Sequence, residues 1–145
     1  MATESVTIEL HRLHNSIRRF IHQHDGMTNE NRIPFSSGRI IRYLFTHDHV
    51  DVYQKDLEKE FSITRSTASR LLARMEQEGL ITRHGVPQDA RLKKLVLTPR
   101  ARELGDGMRK AGQLTDRRLF RGFGEKECEQ LLDYLERMRA NIESE

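Results

Sequence analysis

The stretch ITRSTASRLLARMEQEGLITR, residues 63–83, decides the fold. Within it Ala68, Leu71, Leu72 and Met75 share one face of a helix that the spacing places from about Arg65 to Glu78. Ser62 and Thr64 stand before that helix as two candidate N-caps. Gly79 follows it, where a left-handed residue ends a helix without steric penalty. At about 100° per residue, burying the apolar set turns Ser66, Arg70, Ala73 and Gln77 outward, with Thr67, Ser69 and Arg74 flanking them.

Working outward, Leu57 and Phe61 lie one turn apart on a short helix from about Gln54 to Phe61, and Ser62-Ile63-Thr64 makes the break between the two helices. On the other side, Leu80 to Val86 and Leu92 to Thr98 read as two short strands, joined by the loop Pro87, Gln88, Asp89 and Ala90. Short helix, three-residue turn, helix and hairpin compose a winged helix-turn-helix, whose second helix has the size that the major groove of B-DNA admits. Arg65, Ser66, Thr67, Ser69, Arg70, Arg74 and Gln77 are therefore the candidate major-groove residues. Arg70 can offer two donors to guanine, and the hydroxyls suit bases or phosphates. Exposed Ser and Arg also simply solvate helices; the hairpin that follows tips the balance toward DNA.

That hairpin is basic. Arg83, Asp89, Arg91, Lys93 and Lys94 form the candidate wing set, with Arg91 placed to enter a minor groove, where A·T-rich DNA concentrates negative potential. Asp89 has two readings that the residue type leaves even: it orients Arg91 through a charge-assisted hydrogen bond, or it is a turn former. Charge supports the DNA reading. The chain carries +3, yet Arg65 to Arg102 holds nine basic and three acidic residues, so this segment is +6 and the remainder −3.

Farther out, Pro34 suits the first position of a helix that buries Ile40, Ile41, Leu44 and Phe45 and ends near His47. Val6, Leu10, Leu13 and Ile17 stripe a first helix that ends at Asp25-Gly26. Pro99 opens a fifth helix reaching about Arg121, in which Gly105, Gly107 and Gly112 each cost roughly 1 kcal/mol against alanine, so tertiary packing must hold it. A last helix from about Glu125 carries Cys128, Leu131, Leu132, Leu135, Met138 and Ile142 on one stripe. The 145 residues are 36% hydrophobic and 32% charged, a small core for so many apolar stripes, which points to burial between subunits. Val6, Leu10, Leu13, Ile17, Leu131, Leu135, Met138 and Ile142 are the expected dimer interface. The expected class is mainly α with a small β-hairpin wing (α+β): one domain over 1–145, a winged-helix core at 34–98, and dimerisation helices at 5–25 and 99–145.

Residues 52–104 resemble the multiple-antibiotic-resistance regulator (MarR) family. The resemblance rests on Gln54-Lys-Asp-Leu57, on Ile63 to Leu72, on Met75 to Arg83, on the Asp89-Ala-Arg91 wing and on Leu97-Thr98. It implies a homodimer on palindromic operators, often a repressor relieved by a small ligand or by thiol oxidation. Two departures stand out. Tyr53 occupies the place of the usual Thr or Ser cap of the third helix, leaving Asp51 as the substitute, and the second helix begins Pro34-Phe-Ser-Ser-Gly38. Both lie toward the side where the family binds ligands. Arg18, Tyr43 and Phe45 are candidate lining for a small aromatic or anionic effector, although core packing and surface charge explain them as well.

Other chemistry finds little footing. Alternating histidines such as His22 and His24 diverge on a helix, so no metal site and no cofactor is expected. Cys128, on an apolar stripe, reads as a small hydrophobe rather than a redox sensor. No triad, phosphate loop or paired-carboxylate motif marks an enzyme. The first residues lack a signal peptide and no apolar run reaches membrane-span length, so a cytoplasmic protein of a bacterium or archaeon is expected, nucleoid-associated when bound. The rival reading is a winged-helix protein–protein interaction module, which would need no excess of positive charge on helix and wing.

Overall fold

A computed structural model describes residues 2–144. The elements in order are α1 (Ala2–His24), α2 (Phe35–Thr46), α3 (Gln54–Glu60), α4 (Arg65–Gln77), β1 (Ile81–Val86), β2 (Asp89–Leu97), α5 (Pro99–Leu119) and α6 (Glu125–Glu143). Six helices and a two-stranded hairpin match the class that the sequence implies. The chain divides into two compact units, one ending at Gly112 and one beginning at Gln113.

The first unit holds the core. Ile40, Ile41 and Leu44 of α2, Leu57 of α3, Leu72 and Met75 of α4, Leu80, Ile81, and Leu95 and Leu97 of β2 form one buried cluster, joined by Ala101 and Met108 of α5. Leu71 packs on its edge. Local chemistry sets each helix end. Thr64, not Ser62, caps α4 by accepting the Thr67 N–H. Ser62 instead takes the left-handed conformation (φ 48°) after α3, and the Ile63 N–H returns to the Glu58 carbonyl. Gly79 (φ 70°) closes α4 the same way, with the Leu80 N–H on the Met75 carbonyl. Both are Schellman closures, and they place α3, α4 and the hairpin in fixed succession.

The three α5 glycines are seats. A Cβ on Gly105 would lie 2.8 Å from Cδ2 of Phe45, and one on Gly107 would lie 2.7 Å from the Asp25 carbonyl oxygen. At Gly112 it would lie 2.6 Å from Nε of Arg42. Their weak helix propensity thus accompanies close approach by α2 and by the end of α1.

Four local readings need correction. The first helix begins at Ala2, a turn before Val6. Pro34 is the N-cap of α2 rather than its first helical residue, with its carbonyl accepting the Gly38 N–H. Asp56 serves the start of α3 by accepting the Tyr53 N–H at 2.8 Å, whereas Asp51 pairs with Lys94. In the hairpin the turn is only Pro87-Gln88, since Val86 pairs with Asp89 while Gly85 pairs with Lys93. Ala90, Arg91 and Leu92 are therefore extra residues on β2, a bulge that pushes the wing out.

In the second unit α6 buries no residue of its own; Leu132, Leu135, Met138 and Ile142 are all exposed. On α1, which also buries none, Val6, Ile8, Leu10 and Leu13 are exposed, and Ile17 is half-buried.

Candidate nucleic-acid interface

The interface is built on α4. Its buried face, Ala68, Leu72 and Met75, fixes the helix roll, and Ser66, Ser69, Arg70, Ala73 and Gln77 are exposed on the other side as the periodicity requires. The amino end is pinned by a hydroxyl cluster: Thr64 Oγ1 donates to Thr67 Oγ1 at 2.9 Å and lies 3.2 Å from Ser66 Oγ. Gln54 of α3 adds a bond from its amide to the Arg65 carbonyl. Thr67 is thus half-buried and engaged in the cap, while Ser69 and Arg70 face out unencumbered. The carboxyl end is pinned too, because Arg100 donates to the Glu78 carbonyl at 2.9 Å. Gln54 and Arg100 position the helix although sequence reading assigned them no site role. In the sequence Arg100 is one of the nine cations of the basic segment, and only its distance to a carbonyl 22 residues earlier reveals the cap.

Ion pairs sort the nine cations of this segment. Arg74 is held by Glu78 (2.9 Å), Arg83 by Glu76 (3.2 Å) and Lys94 by Asp51 (2.8 Å), with Arg102 near Asp48 (3.8 Å). Arg83 is largely covered and sits opposite Leu95, well back from the wing tip, and its ion pair links β1 to α4. Arg65 and Arg70 on α4, with Arg91 and Lys93 on the wing, make no ion pair among the described residues. All four are exposed. The two readings of Asp89 separate here: its carboxylate accepts the Arg91 backbone N–H at 2.9 Å, an Asx turn, and leaves the guanidinium free.

The expected effector residues do not come together. A cavity of about 690 Å³ lies within the first unit, and Arg18 lines it, but Tyr43 and Phe45 do not. Tyr43 stacks on His47 and meets Phe61 edge-on, and Phe45 fills the Gly105 seat, so both are spent on packing. Burial pushes the Tyr43 phenol above its ordinary value, with Glu60 and Asp56 adding to the shift. The cavity instead gathers Arg19, Arg32, Arg39 and Arg42 beside Arg18. These arginines lie on two helices and a loop, a convergence no local pattern signals. Desolvation lowers the Arg39 guanidinium from its usual value, and Glu60 works against that shift. Among the described residues no cluster of three metal-ligating side chains occurs.

A rigidly capped helix with an outward polar face, followed by a bulged basic hairpin, defines a DNA-binding transcription regulator of the winged helix-turn-helix class. The chain belongs to the MarR family, whose model matches residues 33–92. It is similar to the transcription regulator MarR from Oenococcus oeni PSU-1, with 30% identity and a TM-score of 0.79 over 99% of this chain and 100% of that one. It is also similar to the S. aureus MepR–DNA complex, with 26% identity and a TM-score of 0.71 over 92% and 96% of the two chains. The uncharacterized HTH-type transcriptional regulator YdgJ of Bacillus subtilis (strain 168) is 30% identical over 95 residues, 65% of this chain and 58% of that protein. The matched stretch thus spans less than two thirds of that relative's length. Among the described residues no helix is long and apolar enough to cross a membrane.

Proposed function

We propose that the chain works as a cytoplasmic homodimeric repressor, with one α4 in each of two successive major grooves of a palindromic operator and the wings in the flanking minor grooves. Arg70, Ser66, Ser69 and Gln77 read bases. Arg65 and Lys93 contact phosphates, and Arg91 enters the minor groove. Arg74, Arg83 and Lys94 support this surface from their ion pairs. The segments 5–25 and 99–145 hold the dimer together, and a small-molecule effector releases the DNA. The observation that carries the reading is the set of four exposed cations that make no ion pair among the described residues, Arg65 at the amino end of α4, Arg70 on its outward face, and two on the wing. An isolated guanidinium is free to pair with phosphate or guanine, whereas one already matched to a carboxylate must first give that partner up.

Selection of bound duplexes from a random pool, followed by mobility shift on the winners, tests it. The expected product is an inverted repeat with half-site centres about 34–36 Å apart, one duplex turn. Failure to retain any duplex at low ionic strength would overturn the proposal, and a non-repeated site would overturn its dimeric form.

A further inference from the structure

Glu78 stands where three electrostatic rules disfavour a carboxylate. It is the C-cap of α4, so its charge meets the negative end of the helix dipole. Its ion pair is with Arg74, four residues earlier, and an acid is better placed before its basic partner than after it. It also borders a surface that must approach a polyanion, where an acid opposes binding. Stability does not account for the pair, since Arg74 is 60% exposed and solvent screens the attraction. Glu76, the other acid of this turn, is committed to Arg83.

What Glu78 achieves is geometric. Its backbone is held on both sides: its N–H reaches the Arg74 and Glu76 carbonyls, and its own carbonyl accepts Arg100 at 2.9 Å. Thr98 donates to the next carbonyl, that of Gly79, at 2.7 Å. The carboxylate therefore projects from a fixed point, and it accepts Nε of Arg74 at 2.9 Å. The two terminal nitrogens of Arg74 make no hydrogen bond among the described residues. A guanidinium held by its inner nitrogen keeps one direction, with an outer edge of two donors still open. Arg74 lies one turn beyond Arg70 and is exposed beside the outward face of α4. A phosphate off to the side would draw it away from Glu78, whereas a pair of acceptors straight beyond its outer edge would not. O6 and N7 of guanine form such a pair in the major groove.

We infer that Glu78 is a positioning residue for sequence recognition: it aims Arg74 at one guanine of each half-site and withholds it from phosphates elsewhere. The inference rests on the regulator reading and adds a determinant to it. Arg74 and Glu78 together carry no net charge, so the held arginine discriminates between sequences while adding little to the general affinity for duplexes.

The test uses the full chain, the duplex recovered by selection, its single-base variants and a scrambled duplex of the same composition. Arg74→Ala is expected to lose preference for guanine at one position per half-site, by roughly 5- to 150-fold. Glu78→Gln keeps the arginine but frees it, and removes a charge that the helix dipole opposes, so the variant folds. It is expected to lose preference several-fold at that same position. The scrambled duplex should meanwhile bind roughly tenfold tighter at about 150 mM salt, and its salt slope should steepen by about 2, one added phosphate for each protomer. In the Arg74→Ala background, Glu78→Gln should leave base preference where Arg74→Ala put it. A role confined to stability gives another pattern, with every duplex weakened alike and a lower melting temperature, and that pattern overturns the inference. Intact guanine preference in Glu78→Gln overturns it as well, as does a further loss of preference when Glu78→Gln is added to Arg74→Ala. Wild-type protein that selects no duplex would sink the regulator reading itself. Wild-type protein that selects an operator, read unchanged by Glu78→Gln, would sink only the role of Glu78.

Discussion

At the scale of single residues, the arginines of this chain divide by what already holds them. Arg70 is exposed on α4 with no carboxylate on it, so its truncation should erase preference at particular base pairs, costing about 1–3 kcal/mol there and little elsewhere. Arg91, on the bulge of β2, depends on groove shape more than on base identity; Arg91→Ala should weaken every duplex alike. Competition binding on single-base operator variants distinguishes the two patterns, and a flat response to Arg70→Ala would mean that α4 presents another face. The sequence could nominate Arg70 because outward positions on a helix follow from periodicity, and Arg91 because it stands at the tip of a basic hairpin. It could not set Arg83 and Lys94 apart from them. Their partners Glu76 and Asp51 are brought close only by the packing of the hairpin against α4 and the 47–53 loop, and nothing local records that meeting.

At the scale of elements, two glycines separate backbone strain from close packing. Gly79 has φ 70° and open space around it, so Gly79→Ala should lose about 1 kcal/mol purely because an L-residue resists the left-handed turn. Gly107 sits inside a helix, where alanine ordinarily gains about 1 kcal/mol. Here the added methyl would meet a backbone carbonyl at 2.7 Å, and Gly107→Ala is expected to destabilise by about 1–3 kcal/mol as the end of α1 is pushed away. Denaturant unfolding decides; a stabilised Gly107→Ala would show that the approach of Asp25 is loose. Element boundaries were legible wherever a cap or a stop residue carries its own chemistry, as at Thr64 and Gly79. The bulge at Ala90–Leu92 was not, because strand pairing depends on the partner strand and an alternation pattern holds no mark of three extra residues. The α5 glycines were visible as an anomaly, and only the side chains across from them explain it.

At the scale of the whole molecule, the apolar stripes and the free cations make one joint prediction. Val6, Leu10 and Leu13 on α1 and Leu135, Met138 and Ile142 on α6 expose large side chains that water penalises, and a second copy of the chain would cover them. Leu13→Glu and Leu135→Glu should each shift sedimentation toward the monomer and make the melting temperature less dependent on protein concentration. The same change must show in DNA binding. If Arg65 and Lys93 of each protomer neutralise phosphates and Arg91 displaces one further counterion from the minor groove, a dimer releases about six, and the logarithm of affinity should fall against the logarithm of salt with a slope of about −5. That slope takes affinity down roughly 10³-fold between about 50 and 200 mM salt. A monomeric variant retains three of those contacts, so its slope should halve to about −2.5 even after its weaker affinity is allowed for. An equal slope for monomer and dimer would mean that a single copy makes all the phosphate contacts, and the two-fold arrangement on DNA would have to be abandoned.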